Sequence, residues 1–172
     1  MTNYWMQTFS GRKIEIENPD ATEIDVEDIA HHLSHICRFQ GATTEFYSVA
    51  QHSCLVAAIV PSHLRLQALL HDAAEAYLGD LIYPVKRTIG APYVDLEDRF
   101  EVAIAQRFGL PCLMTPEIKH ADRVALATEQ RDVMNRSHHV WNKLPDPLPE
   151  TLRPMPPRPN TTAREPGSTL AV

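Results

Sequence analysis

The stretch His71-Asp72-Ala73-Ala74-Glu75-Ala76-Tyr77-Leu78-Gly79-Asp80-Leu81-Ile82-Tyr83-Pro84-Val85-Lys86 decides the fold. It continues an apolar pattern in which Leu66, Leu69, Leu70, Ala73 and Tyr77 share one broad helical face, and Gly79 is the residue type that ends a helix. The pattern predicts one helix over 62–78. A charged aspartate inside such a segment is costly to bury unless it is paired or bound to a metal. Glu75 follows His71 by four positions and Asp72 by three, so a continuous helix puts all three on one side.

Moving upstream, Ser48 and Gln51 have the spacing of a capping box and Pro61 closes the segment they open, which predicts a helix carrying His52 among core-facing residues. Before it, Val26, Ile29, Leu33 and Ile36 recur at helical spacing behind Asp25 as N-cap, predicting a helix over 26–38. Downstream, a helix over 94–108 is stopped by Gly109, and Thr115-Pro116 opens a long one reaching about 137. That helix carries Asp122 between Ala121 and Val124-Ala125. His52, His71, Asp72 and Asp122 thus bring two imidazoles and two carboxylates from three helices. Such a mixed nitrogen and oxygen set suits one divalent transition metal (Mn, Co, Zn or Fe), or Mg.

The ends of the chain read differently. Trp5 to Phe9 alternates, Ser10-Gly11 supplies a turn, and Lys13 to Glu17 alternates again, which is a β-hairpin pattern. Eight of the 14 prolines lie after residue 144, so the tail cannot extend a bundle; it is either disordered or extended over a neighbouring surface. The expected class is therefore all-α, a helical bundle with a small N-terminal β-hairpin. Its parts are a hairpin over 1–24, the bundle over 25–143 and a proline-rich tail over 144–172.

Composition excludes some classes. In 172 residues there is no run of about 18 apolar ones to span a membrane, and no basic stretch followed by an apolar core to form a signal peptide. A cytoplasmic location is expected. The three cysteines (Cys37, Cys54, Cys112) lack metal spacing and are expected as buried or semi-buried thiols in a reducing compartment. The net charge of −6 argues against a sequence-independent nucleic-acid binder but not against a small anion, because a metal dominates the field of its cleft. His31, His32 and His35 cluster on the first helix without matching carboxylates, which predicts a solvated or cleft-edge role. His120 falls on the side away from Asp122.

The series His52, His71-Asp72 and Asp122 resembles the H…HD…D signature of the HD-domain metal-dependent phosphohydrolases. The 71–86 stretch is similar to that of the YfbR-like deoxynucleoside 5′-monophosphatases and the DatZ-type dATP triphosphohydrolases. Tyr47 to Ser53 resembles their first-histidine helix, and Cys37-Arg38-Phe39 the substrate-facing end of the preceding one. The likeness covers about residues 25–135. It implies an HD-domain bundle in which His52, His71, Asp72 and Asp122 hold the metal. It further implies that Glu75 orients or deprotonates the attacking water and that Asp80 lies near the leaving group.

Substrate contacts are expected from Arg38, whose planar fork suits a phosphate, from Phe39, which either stacks on a nucleobase or fills the core, and from Lys86 in the loop after Pro84. Phe39 stands where a tryptophan is expected in close relatives of both branches. The resulting expectation is a metal-dependent hydrolase of deoxynucleotides, either a triphosphohydrolase or a 5′-monophosphatase, working as a homo-oligomer (dimer or hexamer). The alternatives are a nucleotide-sensing module without turnover and a nuclease or phosphodiesterase.

Overall fold

The computed structural model describes residues 4–139, 141 and 144–151. Two short antiparallel strands, β1 (Trp5–Gln7) and β2 (Lys13–Glu15), pair with Met6 opposite Ile14 around a turn in which Gly11 has φ +86°. Seven helices follow among the described residues: α1 (Val26–His35), α2 (Val49–Ile59), α3 (Arg65–Leu69), α4 (Glu75–Leu78), α5 (Tyr83–Ile89), α6 (Ala91–Phe108) and α7 (Pro116–Asp132). The class expected from sequence, all-α with a small N-terminal hairpin, is the class observed. None of the helices is long and apolar enough to cross a membrane.

Capping explains several boundaries. Ser48 and Gln51 form the reciprocal capping box of α2, Asp25 caps α1 through the Glu27 amide, and Thr115 caps α7 through the Ile118 amide. Where boundaries differ from expectation, a competing backbone pairing is the reason. The first helix stops at His35 rather than near residue 38 because Ile36 turns extended. Its carbonyl then accepts from Val49 N–H, and Arg38 N–H donates to the Tyr47 carbonyl. The last helix stops at Asp132 rather than near 137, since the Val133 carbonyl accepts from Thr44 N–H and Met134 bridges Thr43. Helix α6 begins at Ala91, three residues earlier than expected, because Pro92 fits a first turn whose amides need no partner.

The largest departure is the segment expected as one helix over 62–78. It is broken into a 3₁₀ turn, α3, a run of turns over 70–74 and α4. Leu70 adopts φ −100° and ψ 1°, and the amides of Ala73, Glu75, Ala76 and Tyr77 reach back three residues rather than four. The His71 ring supplies a cause. Its Nδ1 donates to the Ala68 carbonyl at 2.7 Å, occupying the acceptor that a regular helix would offer to the Asp72 amide. His71, Asp72 and Glu75 are therefore presented by successive tight turns, not by one side of a continuous helix.

The core has two parts. Ile14 and Ile24 from the N-terminal segment pack with Ile29, Leu33, Val49, Leu70, Phe100 and Ile104, so the hairpin shares the core of the bundle. Leu55, Val56, Val60, Ala68, Ile118 and Ala125 make a second cluster, onto which Leu148 packs. Leu148 N–H also donates to Thr128 Oγ1, and its carbonyl accepts from Arg131, so this part of the tail lies along α7. Residues 152–172 of the expected tail lie outside the described residues. All three cysteines are exposed, contrary to the burial expected of them; Cys54 and Cys112 each sit beside a buried position rather than on one.

The hairpin is fastened by Asp28, a fully buried carboxylate on α1. Its oxygens accept from Ser10 N–H at 2.6 Å and from Ser10 Oγ at 2.8 Å. Burial alone would raise its carboxyl; the Ser10 hydrogen bonds outweigh burial and hold it below the usual carboxylate range. A carboxyl lowered on folding stabilises the fold above its unfolded value of about 3.9 and loses that contribution as pH falls through the folded value. Asp28→Asn should therefore lower the urea unfolding free energy by about 1–2 kcal/mol at pH 7, with the gap to wild type narrowing below about pH 4. An unchanged gap at pH 3, measured in parallel urea titrations, would show that the carboxylate charge contributes nothing.

Candidate metal centre

Three elements converge on one buried point. Helix α2 brings His52, which is fully buried; the turns after α3 bring His71 and Asp72; and α7 brings Asp122 and Glu129. One donor atom each from His52, His71 and Asp72 lies within 4.8 Å of the others. Asp72 Oδ2 is the hub, 3.2 Å from His71 Nε2, 3.4 Å from His52 Nε2 and 3.7 Å from an amino group of Arg38. Asp122 stands beside this trio, its Oδ1 3.2 Å from His52 Nε2, and its side chain keeps 32% of its surface exposed.

The two imidazoles are held in matching ways. Each is anchored through Nδ1, His71 on the Ala68 carbonyl and His52 on Glu129 Oε1, both at 2.7 Å. Each then presents Nε2 to the carboxylates. Both Nε2 atoms are buried and lack a partner in hydrogen-bond geometry, despite the nearby oxygens. Buried polar nitrogens are seldom left so. A divalent ion would satisfy both at once, and the anchoring of the far ring nitrogen by a carboxylate or a carbonyl is the usual support of a ligand histidine. The residues present fit a divalent metal.

Electrostatics agree with a cation site. Burial would raise the Asp72 carboxyl, yet His71, His52 and Arg38 hold it well below the usual range. Burial and Arg38 push the His52 imidazole down, but Glu129 and Asp122 outweigh them and lift it to about 10.

The other expected residues surround this centre. Arg38, its side chain only 11% exposed, donates to Glu129 Oε2 at 3.3 Å. Its guanidinium lies 5.1 Å from the centre of the Phe39 ring, which meets Trp141 edge-on at 5.7 Å. Phe39 and Gln40 both have left-handed backbones (φ 53° and 56°), a strained arrangement for two successive non-glycine residues. It turns the chain sharply after Arg38, and Gln40 Nε2 donates to the Asp80 carbonyl at 2.7 Å. Glu75 is buried; burial together with Asp72 and Asp80 pushes its carboxyl up, against the pull of Lys86 and Arg38. Burial likewise raises the half-buried Asp80.

Lys86 is not in a loop. Pro84 sits in the first turn of α5 and starts a helix instead of breaking one, and Lys86 faces inward from it. Its Nζ donates to Glu75 Oε1 at 3.3 Å and to Glu97 Oε1 at 2.7 Å. His31, His32 and His35 form no site: His31 stacks between Phe9 and His35, and His32 bridges Phe9 N–H to the Ala76 carbonyl.

No family model matches the chain. Two relatives do. The uncharacterized protein YfdR of Escherichia coli (strain K12) is 39% identical over 137 residues, which is 80% of this chain and 76% of its own length. The uncharacterized protein RCAP_rcc00048 of Rhodobacter capsulatus is 39% identical over 164 residues, 86% of this chain and 84% of its own length. The chain belongs to the same family as YfdR.

Within this YfdR-family chain, sequence reading missed Glu129. It is fully buried and bonds both His52 and Arg38. One signal was available: Glu129 follows Asp122 by seven residues, two helical turns, and therefore shares its face of α7. Glu97 was missed as well, since nothing in its spacing marks it apart from the other acids of α6.

His71→Ala should weaken Mn²⁺ binding by more than the about 10–100-fold typical of losing an outer partner of a ligand. Isothermal titration of the metal-stripped full chain checks this. Unchanged affinity would remove His71 from the ligand set.

Proposed function

We propose that this chain is a metal-dependent phosphohydrolase of small deoxynucleotides, releasing phosphate from 5′-monophosphates or triphosphate from triphosphates. The observation that carries this reading is the pair of buried, unpartnered Nε2 atoms of His52 and His71, facing Asp72 with Asp122 alongside. The resemblance to HD-domain phosphohydrolases gives that metal site its chemistry.

When bound, a divalent ion would supply a water of lowered pKa and polarise a phosphoryl oxygen. The chain's own groups do the rest. Glu75, its carboxyl raised by burial and by Asp72 and Asp80, is a stronger proton acceptor than an ordinary carboxylate. Lys86 holds one Glu75 oxygen and leaves Oε2 without a hydrogen-bond partner. Arg38 offers a planar fork whose Nε is buried and unpartnered, a donor for a phosphate oxygen. Phe39 and Trp141, edge to face beside that guanidinium, offer apolar area to a nucleobase. Asp80, tied to the Phe39-Gln40 turn through its own carbonyl, would stand near the leaving group, as the resemblance implies.

A sensor that binds nucleotide without turnover is the second reading. The presence of Glu75 favours hydrolysis, because binding alone has no need of a buried carboxylate beside the ligand set.

Metal-stripped protein reloaded with Mn²⁺ or Co²⁺ and offered a panel of deoxynucleoside mono- and triphosphates should release phosphate or triphosphate. Nucleotide binding without any turnover would establish the sensor instead. Glu75→Gln should keep Mn²⁺ affinity while the rate falls about 10²–10⁴-fold, the usual contribution of a general base. A fully active Glu75→Gln would remove Glu75 from proton transfer.

A further inference from the structure

We infer that Glu129 is a shared positioning residue, one oxygen fixing the metal ligand His52 and the other fixing Arg38, so that metal binding and anion binding depend on the same carboxylate. The inference rests on the metal reading above and adds a dependence that neither the resemblance nor the ligand set contains.

The geometry is a closed circuit. Glu129 Oε1 accepts from His52 Nδ1 at 2.7 Å and Oε2 accepts from Arg38 at 3.3 Å. Arg38 reaches on to Asp72 Oδ2 at 3.7 Å, and that same oxygen lies 3.4 Å from His52 Nε2. Glu129 and His52 are both fully buried, so their bond is shielded from bulk water. Arg38 and a metal would compete for Asp72 Oδ2. Glu129 would keep Arg38 in place if a cation took that oxygen, leaving the rest of the guanidinium to face an anion.

The carboxylate is required because it has two acceptors and no donor. An amide has one of each. In Glu129→Gln the oxygen can face His52, which turns the NH₂ group against Arg38. Alternatively it can face Arg38, which makes His52 Nδ1 an acceptor and moves its hydrogen to Nε2, where the metal should bind. Whichever way the amide settles, one of the two partners is lost.

The test uses the full chain, metal-stripped, with Mn²⁺ and then inorganic phosphate on the Mn²⁺-loaded protein as probes, both by isothermal titration. Glu129→Gln should lose about tenfold or more in affinity for one of the two probes. Retention of both within about threefold would overturn the proposal. Arg38→Met removes the claimant that can only donate; the Tyr47 hydroxyl, which also faces Glu129, can donate or accept, so the amide oxygen is free to turn to His52. The double variant Arg38→Met/Glu129→Gln should therefore bind Mn²⁺ within about threefold of Arg38→Met alone. A Mn²⁺ loss of tenfold or more persisting in that background would show that Glu129 acts through its charge rather than as a shared acceptor, and the proposal would fall. A role confined to packing would lower the melting temperature of Glu129→Gln and leave both affinities of the folded protein unchanged. Absence of Mn²⁺, Co²⁺ or Zn²⁺ binding by the wild type would overturn the metal reading together with this inference. Absence of turnover with metal binding intact would bear on the hydrolase reading alone.

Discussion

A histidine with no exposed surface cannot leave its ring nitrogens to water, and the bond from His52 Nδ1 to Glu129 settles one of them at 2.7 Å. Much of the centre depends on that bond. It fixes the ring so that Nε2 points at Asp72 and Asp122, and it burdens the interior with a carboxylate that needs a second cationic neighbour. Arg38 meets the need, and in doing so is drawn from the surface into the cleft. Removing one member of such a buried group typically costs several kcal/mol, because the remaining charge has nowhere to go.

The centre is also the place where regular structure gives way. Packing of Leu70, Ala73, Ala74 and Tyr77 in the core follows helical spacing, whereas Leu66 and Leu69, expected on the same face, are exposed because the helix breaks at Leu70. Yet the His71 ring captures the Ala68 carbonyl and the backbone tightens into successive turns. The left-handed pair Phe39-Gln40 similarly departs from ordinary backbone preference on the opposite wall. Strain and broken ladders concentrate at the site, while the caps and helices behind it obey local rules.

Local signals made most of the fold legible in the sequence. The capping box at Ser48, the Asp25 and Thr115 caps and the Gly109 stop act within one turn of chain, and each was readable without knowing its surroundings. Helix ends at His35 and Asp132 were not, because they are set by pairing with Tyr47, Val49 and Thr44, all distant in sequence. His52, His71 and Asp72 stood out as charged or ionisable groups among apolar neighbours, and the structure brings them together. Glu129 did not, since a glutamate near the end of a charged helix looks like any solvated residue until its burial is known. Lys86 was misplaced for a related reason: a proline reads as a break, and only context shows that it opens α5.

The hairpin shares more than a core with the bundle. His32 accepts from the Phe9 amide through Nε2 and donates through Nδ1 to the carbonyl of Ala76, the residue that follows Glu75. One imidazole therefore works as a spacer between the N-terminal ribbon and the turn that carries the buried glutamate. Mechanically, the ribbon is a buttress: a push on the tip at Phe9 travels through a rigid ring to the backbone beside Glu75. A protein fused or immobilised through this end would thus be loaded at the backbone next to Glu75, whereas the exposed far side of α6, around Val102, offers an attachment point outside that line of force.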